Sequence, residues 1–137
     1  MSRLVLDASV TLCWFFEDQA TPFTEAILDR LNDGNQAVVA AIWPVEIVNT
    51  MVMAERRKLV KAAQVAAFME QLRQLAIIID PLPPQRVFGA VFETARRYGL
   101  SAYDAEYLEL AAREALPLAT IDRQLRDAAT AAGVRLA

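Results

Sequence analysis

Short apolar runs alternate along the chain with longer segments in which apolar residues recur at helical spacing. Runs at residues 3–6, 37–40, 76–80 and 116–120 predict short strands, and the first has the composition of a buried strand. The segments between them predict helices that begin at residue 9 and then span residues 22–34, 44–59, 62–75, 86–98, 101–115 and 122–132. Residues 134–136 are predicted to add a short edge strand.

The alternation of strand and helix predicts an α/β fold, a three-layer α/β/α sandwich around a mainly parallel central sheet. In such a fold, ligands bind beyond the carboxyl ends of the strands. The 137 residues are 55% hydrophobic and contain no internal repeat or linker. We therefore expect a single domain over residues 1–137.

Two residue types that carry much of enzyme chemistry are scarce in this sequence. It has one cysteine, Cys13, and no histidine. The lone cysteine lies among apolar residues, so it is interpreted as a core thiol, and disulfides and thiolate metal cages are excluded. The lack of histidine excludes imidazole bases, Ser-His and Cys-His pairs and histidine zinc sites. Any reaction must therefore use carboxylates, hydroxyls, lysine or arginine.

The net charge of -3 argues against binding of nucleic acid through overall electrostatic attraction. Contact with RNA would have to be local, at the clusters of basic side chains in residues 56–61, 96–97 and 123–126. No run approaches the roughly 20 apolar residues of a membrane span. Asp7 also interrupts the start of the chain before the apolar region of a signal peptide could form. We expect a cytoplasmic protein with no membrane segment.

Two aspartates follow predicted strands and would project at the same edge of the sheet. Asp7 comes directly after the first strand, and Asp122 comes two residues after the fourth. The alternative is that each caps the helix behind it, because an aspartate carboxylate accepts hydrogen bonds from free backbone N–H groups. Capping is a sufficient explanation for either residue taken singly.

Asp104 also has a structural explanation, because it lies three residues after Ser101, which is the spacing of a capping box. Tyr103 and Tyr107 flank it, one helical turn apart. We interpret both rings as core or groove-lining side chains rather than platforms on which bases stack.

Glu46 is the acidic residue that structural roles explain least. Its helix is apolar on nearly every side, which predicts that the helix is largely buried. A buried carboxylate has to be paired, protonated or bound to a cation. Asn49 and Thr50, about one turn further on, extend a polar stripe that predicts the wall of a cleft. If the acids converge, their repulsion raises their pKa values unless a hard divalent cation such as Mg²⁺ or Mn²⁺ lies between them.

Four segments together resemble the PIN-domain ribonucleases, and in detail the VapC-type toxins of bacterial toxin–antitoxin pairs. They are Val-Leu-Asp-Ala-Ser at 5–9, Pro-Val-Glu-Ile-Val-Asn at 44–49, Gly-Leu-Ser-Ala-Tyr-Asp-Ala at 99–105, and Leu-Pro-Leu-Ala-Thr-Ile-Asp-Arg-Gln-Leu at 116–125. The resemblance covers nearly the whole chain. Each motif alone is weak, but the four occur in the order of the family and all four acidic positions are filled.

The resemblance implies a site and a substrate. The implied ligands of one or two Mg²⁺ or Mn²⁺ ions are Asp7, Glu46, Asp104 and Asp122. Ser9 and Thr120 are implied as neighbours that orient a carboxylate or a water on the metal. The implied activity is endonucleolytic cutting of single-stranded or looped RNA. The side chains assigned to phosphate contact are Arg56, Arg57, Lys58 and Arg123.

The resemblance also implies partners, namely a cognate antitoxin that inhibits the protein and a second copy of the chain in a homodimer. The apolar helix at residues 62–75 is interpreted as core, and a dimer face there stays open.

Two other functions remain open from the residues alone. An aspartyl-phosphate phosphotransferase or phosphatase would use Asp7 as a nucleophile. Ser9 stands where one such pattern needs a second aspartate, however, and the only lysines, Lys58 and Lys61, come too early for the other. A catalytically silent PIN-like binding module would keep the acids only as helix caps, and it would gain no stability from metal.

Overall fold

Four short parallel strands form the central sheet of the structure, a computed structural model that describes residues 2–137 and leaves Met1 of the predicted domain outside. They are β1 Arg3–Leu6, β2 Gln36–Val39, β3 Ile77–Ile79 and β4 Leu118–Ala119. The spatial order is β3-β2-β1-β4, and every neighbouring pair is parallel. The predicted α/β fold with a mainly parallel sheet is therefore confirmed.

Helices fill the connections between the strands. They are α1 Ala8–Cys13, α2 Pro22–Asn32, α3 Trp43–Arg56, α4 Ala62–Arg73, α5 Pro84–Arg86, α6 Phe92–Tyr98, α7 Ala102–Glu114 and α8 Arg123–Ala131, with a 3₁₀ turn at Glu17–Gln19. Among these helices of residues 2–137, none has the length and apolar character needed to cross a bilayer.

The chain steps from β1 to β2 to β3 in one direction and then crosses back to β4. Because parallel crossovers are right-handed, the two directions place their helices on opposite faces of the sheet. The core between these layers contains completely buried side chains from β1, such as Leu4 and Leu6, and from α7, such as Tyr107 and Leu108. β1 is thus covered on both faces, as its uninterrupted apolar run predicts.

Two predicted elements differ from the structure. Residues 134–136 form one isolated bridge, Leu118 to Leu136, instead of an edge strand, because β4 itself is only two residues long and offers little backbone to pair with. The predicted helix at 86–98 begins earlier, at Pro84, and contains a π-helical turn at Val87–Val91. A π turn holds one extra residue, which shifts the helical period without leaving a clear mark in the sequence.

The reversal of strand order lies between β1 and β4 and decides where the candidate site lies. At such a reversal the two following connections diverge to opposite faces and leave a crevice at the carboxyl edge. Asp7 follows β1 directly, and Thr120 follows β4 directly. These residues therefore meet at the mouth of the crevice.

Candidate active site

Asp7 is almost completely buried at the end of β1, with 4% of its surface exposed. Thr120 Oγ1 donates a hydrogen bond of 2.6 Å to its Oδ2 atom, and Ser9 Oγ donates a second of 2.7 Å to the same atom. Although Asp7 occupies the position before α1, its carboxylate makes no capping hydrogen bond to that helix. The hydrogen bonds that hold Asp7 Oδ2 therefore come from the Thr120 and Ser9 hydroxyls rather than from a cap of α1.

The two hydroxyls are held in turn by the backbone of the connection after β4. Ser9 Oγ accepts the N–H of Ile121 at 3.2 Å, and Thr120 Oγ1 accepts the N–H of Asp122 at 3.1 Å. Each hydroxyl thus donates its proton to Asp7 Oδ2 and accepts a backbone N–H with one of its lone pairs. The result is a fixed orientation of the Asp7 carboxylate.

Asp122 is exposed and caps α8, since its Oδ1 accepts the N–H of Leu125 at 2.8 Å. The structural explanation is therefore correct for one of its oxygens. Its negative charge nevertheless acts on the crevice, because it contributes to raising the pKa values of Asp7 and Asp104. Asp122 combines a capping role with a place at the site.

Asp104 lies in the first turn of α7, whose cap is Ser101, with the Asp104 N–H donating to Ser101 Oγ at 3.1 Å. Its carboxylate is partly buried. Burial raises the pKa of Asp104, and the charges of Asp122 and Asp7 raise it further. The charge of Asp104 therefore interacts with those of Asp7 and Asp122.

Glu46 is held by a tyrosine from the opposite layer. The Tyr107 hydroxyl donates to Glu46 Oε1 at 2.6 Å, and the Tyr107 ring is fully buried. Burial raises the pKa of Glu46, the Tyr107 hydrogen bond lowers it, and the charges of Asp7, Asp104 and Glu106 raise it. The interpretation of Tyr107 as a core ring captured its packing and missed its hydroxyl contact.

The prediction that the helix of Glu46 is largely buried is wrong. α3 buries one face through residues such as Ile47 and Met51, while Val45 and Val48 are 61% and 49% exposed. Asn49 and Thr50 do line a cavity beside α3, as the polar stripe predicted, and the Thr50 hydroxyl also donates to the Glu46 backbone carbonyl at 3.1 Å. Hydroxyls in helices commonly make this bond back to the preceding turn.

Asp80 shows why the edge of the sheet alone does not define the site. It follows β3 at the same carboxyl edge, but its Oδ2 accepts hydrogen bonds from Arg113 at 2.7 Å and from Arg86 at 3.3 Å. Within the described residues, Asp7, Glu46 and Asp104 form no ion pair with a basic side chain, and their pKa values are raised by burial and by the charges of neighbouring acids. Asp80 is therefore neutralised by two arginines of the protein itself, which distinguishes it from these three carboxyls.

The four basic residues assigned to RNA contact are all exposed, but they lie in two places. Arg56, Arg57 and Lys58 are at the carboxyl end of α3, ten residues beyond Glu46 and hence about 15 Å along the helix axis. Arg123 directly follows Asp122 at the start of α8. Arg123 is therefore the one of the four that adjoins an acid of the site.

The donor set suits a hard divalent cation. The crevice offers carboxylate and hydroxyl oxygens, which Mg²⁺ and Mn²⁺ prefer, and the pKa values of Asp7, Glu46 and Asp104 are raised mainly by burial and further by the charges of neighbouring acids. Within residues 2–137, however, no three acidic side chains are already gathered closely enough to enclose an ion. A bound cation would have to draw the side chains inward.

The raised pKa values make a prediction for the protein in EDTA. Where the pKa of a carboxyl is higher in the folded protein than its value near 4 in the unfolded chain, the folded state binds more protons at pH values between the two. The free energy of unfolding therefore falls as the pH rises through this interval. Replacing Asp7 by asparagine removes one such group. We expect the Tm of Asp7→Asn minus that of the wild type to increase as the pH rises from about 4 towards neutrality. A difference that stays constant with pH would contradict the prediction.

Comparison with known proteins shows similarity over nearly the whole chain. Residues 4–131 match the family model of the PIN domain. The chain is 25% identical over 125 residues to Ribonuclease VapC3 of Pyrobaculum aerophilum, covering 91% of this chain and 93% of that protein.

Solved structures share the fold at lower sequence identity. VapBC2 from Rickettsia felis, bound to a DNA fragment from its promoter, superposes with a TM-score of 0.69 at 13% identity, covering 100% of this chain and 98% of that chain. A toxin–antitoxin complex from Klebsiella pneumoniae gives a TM-score of 0.62 at 18% identity, covering 87% and 86%.

Proposed function

We propose that this chain, which belongs to the PIN domain family as its four motifs predicted, is a metal-dependent endoribonuclease. The observation that carries the proposal is the buried Asp7 carboxylate, held by Thr120 and Ser9 at the reversal of strand order. The negative charges of three further acids, Glu46, Asp104 and Asp122, interact with that of Asp7. The similarity to a protein named ribonuclease supports RNA as the substrate.

Different residues would bind the cation and orient the carboxylate that holds it. Asp7, Glu46, Asp104 and Asp122 would hold Mg²⁺ or Mn²⁺, which when bound generates a nucleophile from water near neutral pH and neutralises the leaving oxygen. Ser9 and Thr120 keep the Asp7 carboxylate from rotating, so that its orientation is set before the ion arrives.

The RNA backbone needs cationic side chains near the acids. Arg123 is the first residue of α8, next to Asp122, and its guanidinium can pair with a phosphate at the mouth of the crevice. Arg56, Arg57 and Lys58 would contact more distant phosphates of a longer strand. Because the net charge is -3, affinity depends on these local contacts and on unpaired bases.

We further propose that the protein is the toxin of a toxin–antitoxin pair in the cytoplasm and forms a homodimer. The similar structure from Klebsiella pneumoniae is a toxin–antitoxin complex, which supports an antitoxin as partner. An apolar groove beside β3, lined by residues that include Ile47, Met69, Leu72 and Ile77, supports a protein partner as well.

Cleavage of a mixed single-stranded RNA pool tests the proposed activity. We expect internal cuts with Mg²⁺ or Mn²⁺, none with EDTA, restored cutting when metal is returned, and little cutting of DNA of the same sequence. Metal should also raise the Tm, because it binds the folded state. Absence of both cutting and metal stabilisation in folded, antitoxin-free protein would favour a silent binding module whose acids serve as caps, as Asp122 does for α8.

A further inference from the structure

A cavity of about 360 Å³ lies beside the connection that follows β4. Its lining residues are Thr21, Phe23, Ile121, Arg126 and Ala137. The volume is at the lower end of the range found for ligand sites. Ile121 is 44% exposed although it is large and apolar, and of the five lining residues only Arg126 has a charged side chain. The cavity therefore combines apolar walls with one positive charge.

Arg126 is held in a defined orientation by two contacts. Its Nη1 atom donates a hydrogen bond of 2.9 Å to the backbone carbonyl of Thr120, directly after β4. Its guanidinium carbon lies 5.7 Å from the centroid of the Phe23 ring, within the range of a cation–π contact. A guanidinium has five N–H donors, so the hydrogen bond to Thr120 leaves others available to a ligand. The group is thus oriented before any ligand arrives.

No carboxylate among the described residues pairs with Arg126. Arg86 and Arg113 both form ion pairs with Asp80, whereas Arg126 forms none. Asp122 is four residues earlier, at the spacing of a helical ion pair, but its carboxylate caps α8 instead. A half-buried guanidinium that lacks an anion and lines a cavity suits a phosphate, which arginine binds through two parallel hydrogen bonds.

The cavity adjoins the acidic crevice across residues that serve both. Thr120 accepts the Arg126 hydrogen bond with its carbonyl and binds Asp7 Oδ2 with its hydroxyl at 2.6 Å. Ile121 lines the cavity, and its backbone N–H donates to Ser9 Oγ at the crevice. An RNA strand with one phosphate at the acids would therefore bring a neighbouring nucleotide to the cavity.

We propose that this cavity is a nucleotide subsite for single-stranded RNA, in which Arg126 binds the phosphate next to the one that is cleaved. Phe23 and Ile121 form the apolar wall beside that nucleotide. RNA is the favoured occupant because the one charge of the lining is positive and because the cavity is continuous with the residues that hold Asp7. The inference rests on the proposed function, since it extends the same site by one nucleotide.

The competing explanation is that Arg126 only fixes the backbone after β4. Replacing it would then lower the Tm and disturb Asp7 through Thr120, which lowers the cleavage rate. It would not change how RNA affinity depends on salt, because this dependence reports the number of phosphates that the protein neutralises. The salt dependence of binding therefore separates the two explanations.

Binding of fluorescently labelled poly(U) and poly(A) to the full chain in EDTA, at several salt concentrations, tests the proposal. We expect Arg126→Gln to weaken binding of both polymers by at least about tenfold and to reduce the slope of log affinity against log salt by about 0.7. The loss should be equal for both polymers, because a phosphate contact carries no base information. Arg126→Lys keeps the charge and should keep the wild-type slope.

Two control variants match the substitutions. Arg97→Gln on α6 removes a guanidinium that lies 5.6 Å from the Tyr98 ring, and it should bind RNA as the wild type does. Ile121→Glu places a negative charge in the exposed wall of the cavity and should weaken binding of both polymers. Ile78→Glu is its control, because Ile78 is 42% exposed on β3, at the opposite edge of the sheet.

Wild-type affinity and slope in Arg126→Gln would overturn the subsite and leave the proposed nuclease intact, as would an equal loss in Arg97→Gln. If Arg126→Gln fails to fold, Ile121→Glu compared with Ile78→Glu decides. If the wild type binds neither polymer, the subsite is wrong, and cleavage of the RNA pool with metal still decides the proposed function.

Discussion

Replacing Asp7 by asparagine is expected to reduce metal-dependent RNA cleavage by about a hundredfold or more while the fold is kept. The amide has nearly the same shape, and its oxygen can still accept the hydrogen bonds from Thr120 and Ser9. What it lacks is the negative charge that would hold a cation. Burial and the charge of Asp122 raise the pKa of Asp7, which means that its ionised form is unfavourable in the fold. Removing the charge should therefore increase the free energy of unfolding of the metal-free protein.

Cleavage rates of the Asp7→Asn variant and the wild type, measured beside their Tm values in EDTA and in Mn²⁺, check this expectation. The variant should have an equal or higher Tm in EDTA and a smaller gain with Mn²⁺. The control is Asp29→Asn on α2, which changes the charge equally at an exposed position away from the crevice. Undiminished cleavage by a folded Asp7→Asn variant would remove Asp7 from the site.

The second large effect is expected at Glu46, where one substitution removes the charge of the carboxylate and another removes the hydrogen bond that orients it. Glu46→Gln removes the charge but keeps an oxygen for the Tyr107 hydroxyl, so cleavage should fall to near the background with the fold retained. Tyr107→Phe keeps the charge and nearly the same ring volume but leaves Glu46 free to rotate. Loss of such an orienting hydrogen bond typically costs about 10–100-fold in metal affinity or activity.

The predicted order of cleavage rates is therefore wild type, then Tyr107→Phe, then Glu46→Gln. Raising the Mn²⁺ concentration should recover part of the activity of Tyr107→Phe, because its defect is affinity, and little of that of Glu46→Gln. Glu55→Gln, an exposed position on the same helix, should behave as the wild type. Equal rates for Glu46→Gln and Glu55→Gln would exclude Glu46 from catalysis.

Local sequence was sufficient to predict the four strands, most of the helices and the edge of the sheet at which Asp7 lies. The three consecutive apolar residues of β1, Leu4 to Leu6, are too few for a helix and predict a buried parallel strand, so the next residue, Asp7, must project at its carboxyl end. The same reasoning predicted the place of Asp122 and the start of the helix that carries Asp104. These inferences succeed because strand and helix periods depend on neighbouring residues.

Rotation of the helices against the sheet was not predictable in the same way. The apolar composition of α3 suggested burial on all sides, yet the helix packs through one face and exposes Val45 and Val48. Hydrophobicity gives the tendency to leave water, whereas the neighbours that actually cover a side chain depend on the packing of distant segments. Glu46 is therefore only partly buried, at the border of the packed face.

Tertiary structure alone decided which acids lack a cationic partner. Thr120 reaches Asp7 across 113 positions of sequence, and Tyr107 reaches Glu46 across 61. Asp80 satisfies the same strand-end rule as Asp7, but Arg113, 33 positions away, neutralises it. Hydrogen bonds and ion pairs of this kind depend on strand register and helix rotation. The sequence thus determined where carboxylates stand in the fold, and packing determined which of them retain unbalanced charge.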